Sequence, residues 1–223
     1  FYHGNIKFFN DTDINNITNI NEKVLLERPF WFAASTHSGE EDLCIRTHLL
    51  LKEKFKDILT IIAPRHIQRS LSIKKICDKY NLKTQILNKQ DLVQDNKEMI
   101  ILNSFGSLND YFKFAKSVFI GKSFIKKLQH VGGQNPIEAA QLNCKVYHGP
   151  YVYNFAEIYK ILENHKISKE IMNHEDLSDY LKEDLFTKNK KIIKNSEILS
   201  DLGNKTLTNK LRDINNLILN ENK

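Results

Sequence analysis

The sequence predicts an α/β fold in which a parallel β-sheet carries helices on both faces. Short apolar segments alternate along the chain with segments whose apolar residues recur at helical spacing. That alternation is typical of strand–helix–strand units. The apolar segments are short and rich in β-branched residues, as expected of strands that are covered on both sides. Polar loops follow several of them, at the edge where such folds bind ligands.

Six short apolar segments are the expected strands, and polar residues, glycine or proline bound them. The second one stops at Pro64, which is a poor continuation of an interior strand. The polar, Asn-rich residues 11–21 before the first strand are expected to form an irregular linker. In chain order the strands are residues 29–34, 58–63, 84–87, 99–102, 117–120 and 145–148.

Five segments that follow these strands are the expected helices. Leu43, Leu50 and Phe55 recur at helical spacing in the first, and Ile73 and Ile76 do so in the second. Their ranges are residues 40–56, 68–80, 108–116, 135–142 and 154–164.

The end of the chain has a different character. Residues 175–223 show a helical, highly charged pattern, and their lysine-rich run at 188–194 is typical of a solvated face. We therefore expect one domain over residues 1–174 and a helical C-terminal segment over residues 175–223 that packs on it. Because the chain starts with Phe1 and its first residues look like the interior of a protein, we expect a piece of a longer chain.

The composition favours an anionic partner. The 223 residues carry a formal net charge of +6 and a pI near 9.0, which suits a nucleotide, a phospholipid surface or a nucleic acid. Abundant Lys, Asn and Ile are equally typical of an AT-rich genome. The three cysteines are far apart and lack metal-ligand spacing, which indicates a reducing compartment. No apolar run approaches the roughly 18 residues that span a membrane.

The segment GGQNPIE at residues 132–138 carries the strongest signal, and two interpretations of it stay open. In the first, Asn135 caps a helix that begins at Pro136, and Glu138 completes a capping arrangement three residues later. In the second, the glycine-rich turn and the helix N-terminus bind a phosphate. Glu138 would then accept hydrogen bonds from a ribose.

The segment STHSGEE at residues 35–41 follows the first strand and also allows two interpretations. Ser38 is a candidate cap, with Glu40 and Glu41 complementing the helix dipole. Alternatively, the segment is a contact loop for a sugar or a phosphate. The side chain of His37 is on this loop, where a lone histidine is more often structural.

Arg65 and His66 end the second strand. The planar guanidinium suits a phosphate or a base edge, although pairing with a nearby carboxylate is equally reasonable. The sequence contains neither GxGxxG nor GxxxxGK[ST], which argues against a dinucleotide fingerprint and a P-loop. No pair of acidic residues stands at a strand end, so we expect a metal-independent reaction and no metal site there.

Taken together, these segments resemble the 3-deoxy-D-manno-octulosonic acid (Kdo) transferases, the glycosyltransferases that modify lipid A. The resemblance covers most of residues 2–160, and five motifs in the same order make it specific. They are GNIKF at 4–8, ASTHSGEE at 34–41, PRH at 64–66, GGQNPIE at 132–138, and GP with NF at 149–155. They are similar to the family patterns GN[LI]KF, ASTHxGEE, PRHPER, GGHNPLE and GPHxxNF.

The resemblance implies a Rossmann-like domain that is one half of a GT-B fold. In this family the C-terminal domain binds the donor CMP-Kdo, and the N-terminal domain binds the lipid A precursor and supplies the catalytic base. This chain would be the C-terminal domain, inactive by itself without its own N-terminal domain. The whole protein would act on the cytoplasmic side of the bacterial inner membrane, with no cofactor beyond its donor and no nucleic-acid partner.

The resemblance also implies roles for the strand-end loops, and no catalytic residue is expected in this chain. Arg65 and the loop 103–106 would hold the CMP moiety, the backbone from Gly133 to Asn135 would surround its phosphate, and Glu138 would bind its ribose. The expected donor-binding residues are Ser35, Thr36, His37, Arg65, His66, Ser104, Phe105, Gly106, Gly133, Gln134, Asn135 and Glu138.

The sequence departs from the family pattern at several of these loops. Ser107 replaces an acidic residue, Lys122 a glycine, and Gln134 a histidine, which leaves base recognition and the donor open. One alternative is a GT-B transferase or epimerase that uses a UDP-sugar. Another is a non-enzymatic basic module, although the basic and aromatic residues are not interleaved as in a stacking platform for nucleic acid.

Overall fold

The fold is a seven-stranded parallel sheet with helices on both faces, as predicted. The computed structural model describes residues 16–106, 108–186, 195 and 197–201. The strands are β1 (Phe30–Thr36), β2 (Leu59–Pro64), β3 (Thr84–Leu87), β4 (Met99–Leu102), β5 (Ser117–Ile120), β6 (Lys145–His148) and β7 (Ser168–Glu170). Their order across the sheet is β3-β4-β2-β1-β5-β6-β7, with parallel pairing throughout.

Seven α-helices lie within residues 16–186, and residues 197–201 are also helical. The seven helices are α1 (Glu22–Glu27), α2 (Glu40–Lys52), α3 (Ser70–Lys79), α4 (Leu108–Phe112), α5 (Ile137–Gln141), α6 (Ala156–Asn164) and α7 (His174–Phe186). The six predicted strands and five predicted helices are present, but α2 and α4 end about four residues earlier than predicted. Hydrogen-bonded turns follow each of them, with Phe55 N–H donating to Leu51 O and Ala115 N–H donating to Tyr111 O, both at 2.9 Å.

Two elements were not predicted. The helix α1 lies directly after the polar linker, and Leu25 is its one buried residue. The strand β7 has the sequence SKE, of which Ser168 alone is buried. Because α1 has only six residues and β7 only three, neither is long enough to show the apolar spacing from which the other elements were predicted.

The sheet separates two apolar layers. Phe30, Phe32 and Ala34 of β1 face the layer that contains α4, α5 and α6. Trp31 and Ala33 face the opposite layer, which contains α2, α3 and α7. Successive side chains of a strand point to opposite faces, so β1 contributes to both layers along its whole length.

The connections reverse direction between β1 and β5. From β1 the chain passes through α2 on one face to β2, whereas from β5 it passes through α5 on the other face to β6. The chain therefore leaves these two adjacent strands towards helices on opposite faces of the sheet. Such a switch point opens a crevice beyond the carboxyl ends of the strands, and ligands bind there in open α/β sheets.

The helix α7 packs against α2 and the sheet. Leu177 and Leu181 are fully buried in the layer with α2. Asp184 accepts hydrogen bonds from Ser117 Oγ and Tyr147 Oη, both at 2.6 Å. The lysine-rich run at 188–194 lies outside the described residues, and the domain boundary at residue 174 stays a prediction.

The described helices are each too short or too polar to cross a membrane. Cys44, Cys77 and Cys144 are buried free thiols. Burial raises the pKa of Cys77 to about 11, so this thiol remains protonated at neutral pH.

The stability of the fold is expected to fall as the pH is lowered, because His48 is buried on α2. Its Nδ1 lies 2.9 Å from Thr60 Oγ1, and burial lowers its pKa from 6.5 to about 4. The unfolded chain gains a proton below pH 6.5 and the folded chain does not. His48 thus contributes its stabilisation above pH 6.5, and this is lost towards pH 4 by up to about 1.4 kcal/mol per pH unit.

Urea unfolding of the wild type, His48→Gln and the exposed control His165→Gln at pH 7 and pH 5.5 measures this contribution. His37 and His148, whose pKa values burial also lowers, act in the same direction. We expect His48→Gln to lose less stability between the two pH values than the wild type and the control do. Equal losses in all three proteins would contradict the prediction.

Candidate active site

The strand-end loops that the sequence analysis singled out meet at the carboxyl edge of the sheet. Arg65 N–H, just beyond β2, donates to Thr36 O at 3.0 Å. Gly121 N–H, just beyond β5, donates to Ala34 O at 2.8 Å. The loops after β1, β2 and β5 are therefore joined at the switch point, and together they form the candidate site.

The carboxylate of Glu40 joins the loop after β1 to the loop after β5. It is fully buried and accepts four backbone hydrogen bonds. The donors are the N–H groups of His37 at 2.7 Å, Lys122 at 2.8 Å, Ser123 at 2.9 Å and Phe124 at 3.0 Å. Burial raises the pKa of this carboxyl, and the four donors oppose the rise because they favour the charged form.

Gly121 allows this close approach of the two loops. A Cβ atom there would lie 2.5 Å from Ser35 O and 2.8 Å from Glu40 Oε2. Neither atom has room to retreat, because both belong to the hydrogen-bonded junction of the loops. The absence of a side chain at this position is therefore a requirement of the site.

Glu41 joins the same region to the turn before α3. Arg69 donates to both of its carboxylate oxygens at 2.8 Å, and the side chain of Glu41 is only 1% exposed. Thr36 Oγ1 donates to Oε1 at 2.9 Å. The hydroxyl of Thr36, an expected donor-binding group, is thus engaged within the protein and positions the loop.

The predicted helix cap at Ser38 is wrong. The N-cap position of α2 is Gly39, with φ +99° and no side-chain cap hydrogen bond. The first two carboxylates of α2 turn inward to the neighbouring loops, a role beyond the dipole complementation expected from sequence. The sequence Gly-Glu-Glu by itself does not show whether its carboxylates face solvent or the protein interior. Arg69, the partner of Glu41, lies 28 residues away along the chain, and Lys122, a partner of Glu40, lies 82 residues away.

Four expected donor-binding side chains lie at the opening of this junction. Ser35 has φ +57° and interrupts the ladder between β1 and β2. The rings of His37 and His66 are 6.0 Å apart and nearly perpendicular. Burial lowers the pKa of His37, and the charges of Lys122 and Arg69 add to this effect, so His37 is neutral at pH 7. The side chain of Arg65 is exposed beside them.

The loop 103–106 lies at the same edge but beyond β4, on the far side of β2 from β1. Asn103 is held by Asn88 Oδ1 at 3.0 Å and by Ser70 Oγ at 3.3 Å. Ser104 is half-buried, Phe105 is 68% exposed, and Gly106 has φ +79°. The adjacent Ser107 lies outside the described residues. An exposed aromatic ring at this edge is suited to stacking on a flat ligand.

The turn before α5 differs from the predicted phosphate site in one respect. Gly133 has φ +90°, and its N–H donates to Lys122 O at 2.6 Å. That N–H is consequently not available to a phosphate in this conformation. A Cβ atom on Gly132 would lie 2.2 Å from Tyr151 O, so the glycine pair here serves close packing of the backbone.

The helix α5 begins at Ile137, two residues later than predicted, with Pro136 at its N-cap position. Asn135 Oδ1 accepts from Ile137 N–H at 3.1 Å, while Gln134 O accepts from Tyr159 Oη at 3.0 Å. The half-buried carboxylate of Glu138 makes no hydrogen bond to the parts of the chain that the structure describes. The reciprocal half of a capping box is therefore not formed, and Glu138 is available to a ligand.

The electrostatics of the opening favour an anion. The buried carboxylates of Glu40 and Glu41 are satisfied by internal donors, whereas Arg65 is exposed and Lys122 is half-buried beside the junction. A guanidinium presents a planar set of donors to phosphate oxygens. The site can thus hold a phosphorylated ligand in the crevice between β1 and β5.

The parallel sheet with its crevice at the switch point is that of a Rossmann-like domain, which forms one half of a GT-B fold. The fold is similar to the crystal structure of the C-terminal CMP-Kdo binding domain of WaaA from Acinetobacter baumannii. The TM-score is 0.69 at 21% identity, and the match covers 91% of this chain and 99% of that domain.

Curated relatives make the assignment more specific. The chain is 30% identical over 162 residues to the 3-deoxy-D-manno-octulosonic acid transferase of Haemophilus influenzae. The aligned region covers 71% of this chain and 37% of that protein. It is 32% identical over 181 residues to the enzyme of Rickettsia typhi, covering 80% and 38%. With the Aquifex aeolicus enzyme it shares 24% identity over 188 residues, covering 84% and 48%.

The chain is a relative of the 3-deoxy-D-manno-octulosonic acid transferases, and it spans less than half the length of these three proteins. No protein-family model matches the sequence.

Glu40→Gln is expected to lower the free energy of unfolding by about 2–4 kcal/mol, because an amide replaces a charged acceptor and presents N–H groups to other N–H groups. The control is Asp42→Asn on the same helix, whose carboxylate is 47% exposed in an ion pair with Arg46. That change should alter stability by less than about 1 kcal/mol. Urea denaturation compares the two variants, and equal small losses would show that the four-donor contact is unimportant.

Proposed function

We propose that this chain is the donor-binding part of a Kdo transferase and that it binds CMP-Kdo in the crevice between β1 and β5. The observation that carries the proposal is the 30–32% identity to curated 3-deoxy-D-manno-octulosonic acid transferases over most of the chain. The similar fold of a CMP-Kdo binding domain supports it, as does the cationic opening of the site.

The phosphate of the donor would lie at the junction of the loops after β1, β2 and β5. Arg65 is exposed there and offers paired donors. The N–H groups of Gln134 and Asn135 in the turn before α5 would donate to the phosphate. Gly133 shapes that turn, but its N–H is already bonded to Lys122 O. Ser35, His37 and His66 complete the wall around the phosphate. Neutral His37 acts there as a hydrogen-bonding group without adding charge.

The nucleoside of the donor would extend along the same edge. Phe105 is an exposed ring on the loop that also contains Ser104 and Gly106, so it offers a surface for the base. Glu138 has an uncommitted carboxylate, which suits the two hydroxyls of a ribose.

The transfer step would depend on this chain chiefly for stabilising the leaving group. In an inverting transfer, the acceptor hydroxyl of a lipid A precursor attacks the anomeric carbon of Kdo, and the bond to the CMP phosphate breaks. Negative charge then develops on that phosphate. Arg65 and the neighbouring N–H groups are preorganised to stabilise this charge, which lowers the barrier.

The remaining parts of the reaction are assigned to a second domain. A general base there would remove the proton from the acceptor hydroxyl, as the resemblance to the family implies. The acceptor lipid would bring the whole protein to the cytoplasmic face of the inner membrane. No metal is assigned to the step, because Arg65 and backbone donors supply the positive potential.

The chain is expected to bind CMP more tightly than UMP, and Arg65→Ala is expected to weaken CMP binding by about tenfold, which corresponds to about 1.4 kcal/mol. Arg46→Ala is the matched control, since Arg46 is an exposed arginine paired with Asp42 away from the junction. Calorimetric titrations with both nucleotides, in buffer and in chelator, measure the affinities.

Each other result of these titrations has a distinct meaning. Tighter binding of UMP would favour the UDP-sugar enzyme. No binding of either nucleotide to the folded chain would favour the non-enzymatic module. A loss of CMP affinity greater than tenfold in chelator would contradict metal-independent donor binding.

Glu138→Ala is expected to weaken CMP binding by tenfold or more, because a charged acceptor contributes about 1.5–3 kcal/mol to its hydrogen bonds. Glu138→Gln retains one neutral acceptor and should weaken binding less. Affinity by calorimetry and melting temperature are measured for both variants. A lower melting temperature with unchanged affinity would identify Glu138 as a helix cap and remove it from the ribose site.

A further inference from the structure

Three potential metal ligands converge at the β6–β7 end of the sheet, outside the proposed donor site. His148 is the last residue of β6, and its register partner is Glu170, the last residue of β7. Glu163 belongs to α6, which packs over these strands. One ligand atom from each of the three side chains lies within 4.8 Å of the others.

The imidazole of His148 is held in a fixed orientation. Its side chain is 1% exposed, and its ring centroid lies 4.2 Å from that of Tyr159. Nδ1 lies 2.9 Å from Gly149 O. A carbonyl oxygen only accepts hydrogen bonds, so Nδ1 carries a proton and the neutral ring presents the lone pair of Nε2.

That lone pair has no hydrogen-bond partner within the described parts of the chain. The atom that it faces is Glu163 Oε1, at 3.1 Å. Two lone-pair-bearing atoms at this separation repel each other unless a positive charge lies between or beside them.

A divalent cation that binds both atoms removes this conflict. With a neutral imidazole and two carboxylates, a doubly charged ion makes the site neutral overall. Histidine ligands of zinc characteristically donate their other ring N–H to a carbonyl or carboxylate, as His148 does to Gly149. Nitrogen and oxygen ligands about 2.0–2.2 Å from zinc are separated by roughly 3.4 Å at the tetrahedral angle, a few tenths of an ångström more than the 3.1 Å from Nε2 to Glu163 Oε1.

We propose that His148, Glu163 and Glu170 bind one Zn²⁺ ion through Nε2 and one carboxylate oxygen from each glutamate. Glu163 is 40% exposed and Glu170 is on the surface, so a water molecule can complete the coordination. The ion would be structural, since it links β6, β7 and α6. Tyr159, which packs on His148, also donates to Gln134 O at 3.0 Å, so this link supports the wall of the donor site.

Calorimetric titration of the metal-free chain with ZnCl₂ tests the proposal, together with thermal melts. We expect one Zn²⁺ per chain and a higher melting temperature, both reversed by EDTA. The double variant Glu163→Gln/Glu170→Gln should lose at least 100-fold in Zn²⁺ affinity and should lose the thermal shift. Because both glutamates are partly exposed, this variant is expected to fold, whereas a change at buried His148 carries a greater risk.

The control is Glu175→Gln, which removes the carboxylate from a surface pair in which His174 Nδ1 lies 3.0 Å from Glu175 Oε2. Zn²⁺ binding should be unchanged in this variant. Absence of stoichiometric binding by the wild type would overturn the proposal, as would full binding by the double variant. CMP titration of the double variant measures the donor site without this ion, because neither glutamate is assigned to donor binding, so the proposed function stands or fails separately.

Discussion

The buried carboxylate of Glu40 is the interaction on which the rest of the site depends. A charge without solvent is strongly unfavourable unless hydrogen-bond donors surround it. Here four backbone N–H groups, one from the loop after β1 and three from the loop after β5, supply that environment. Each of these N–H groups in turn needs an acceptor. Two loops that leave opposite faces of the sheet are thereby held in one arrangement.

Acidic and basic residues have separate tasks around this junction. Glu40 and Glu41 face inward and are neutralised by backbone donors and by Arg69. The side chains of Arg65 and Lys122 remain at the opening and form no ion pair with a carboxylate in the described part of the chain. The positive potential of the crevice therefore arises because the carboxylates are buried and satisfied while these two cations are not. This arrangement suits the stabilisation of a phosphate leaving group.

Much of the fold was predictable because strands covered on both faces must be apolar along their whole length. All six apolar segments are strands, and the loops predicted to share one edge do so. β7 was not predicted because only Ser168 of its three residues is buried. The start of α5 was misplaced because Asn135 accepts the N–H of Ile137 from a position outside the helix, an alternative that the same residues allow.

The sequence by itself determined the layered α/β class, the order of its elements and the set of polar loops, because burial and helical periodicity are local patterns. The ordered motifs also indicated the transferase family. Only the tertiary structure decided that Glu40 and Glu41 are internal supports, that the N–H of Gly133 is occupied, and that His148 meets Glu163 and Glu170. These roles depend on partners that are distant along the chain, and a hydrogen bond is specified by the position of both of its groups.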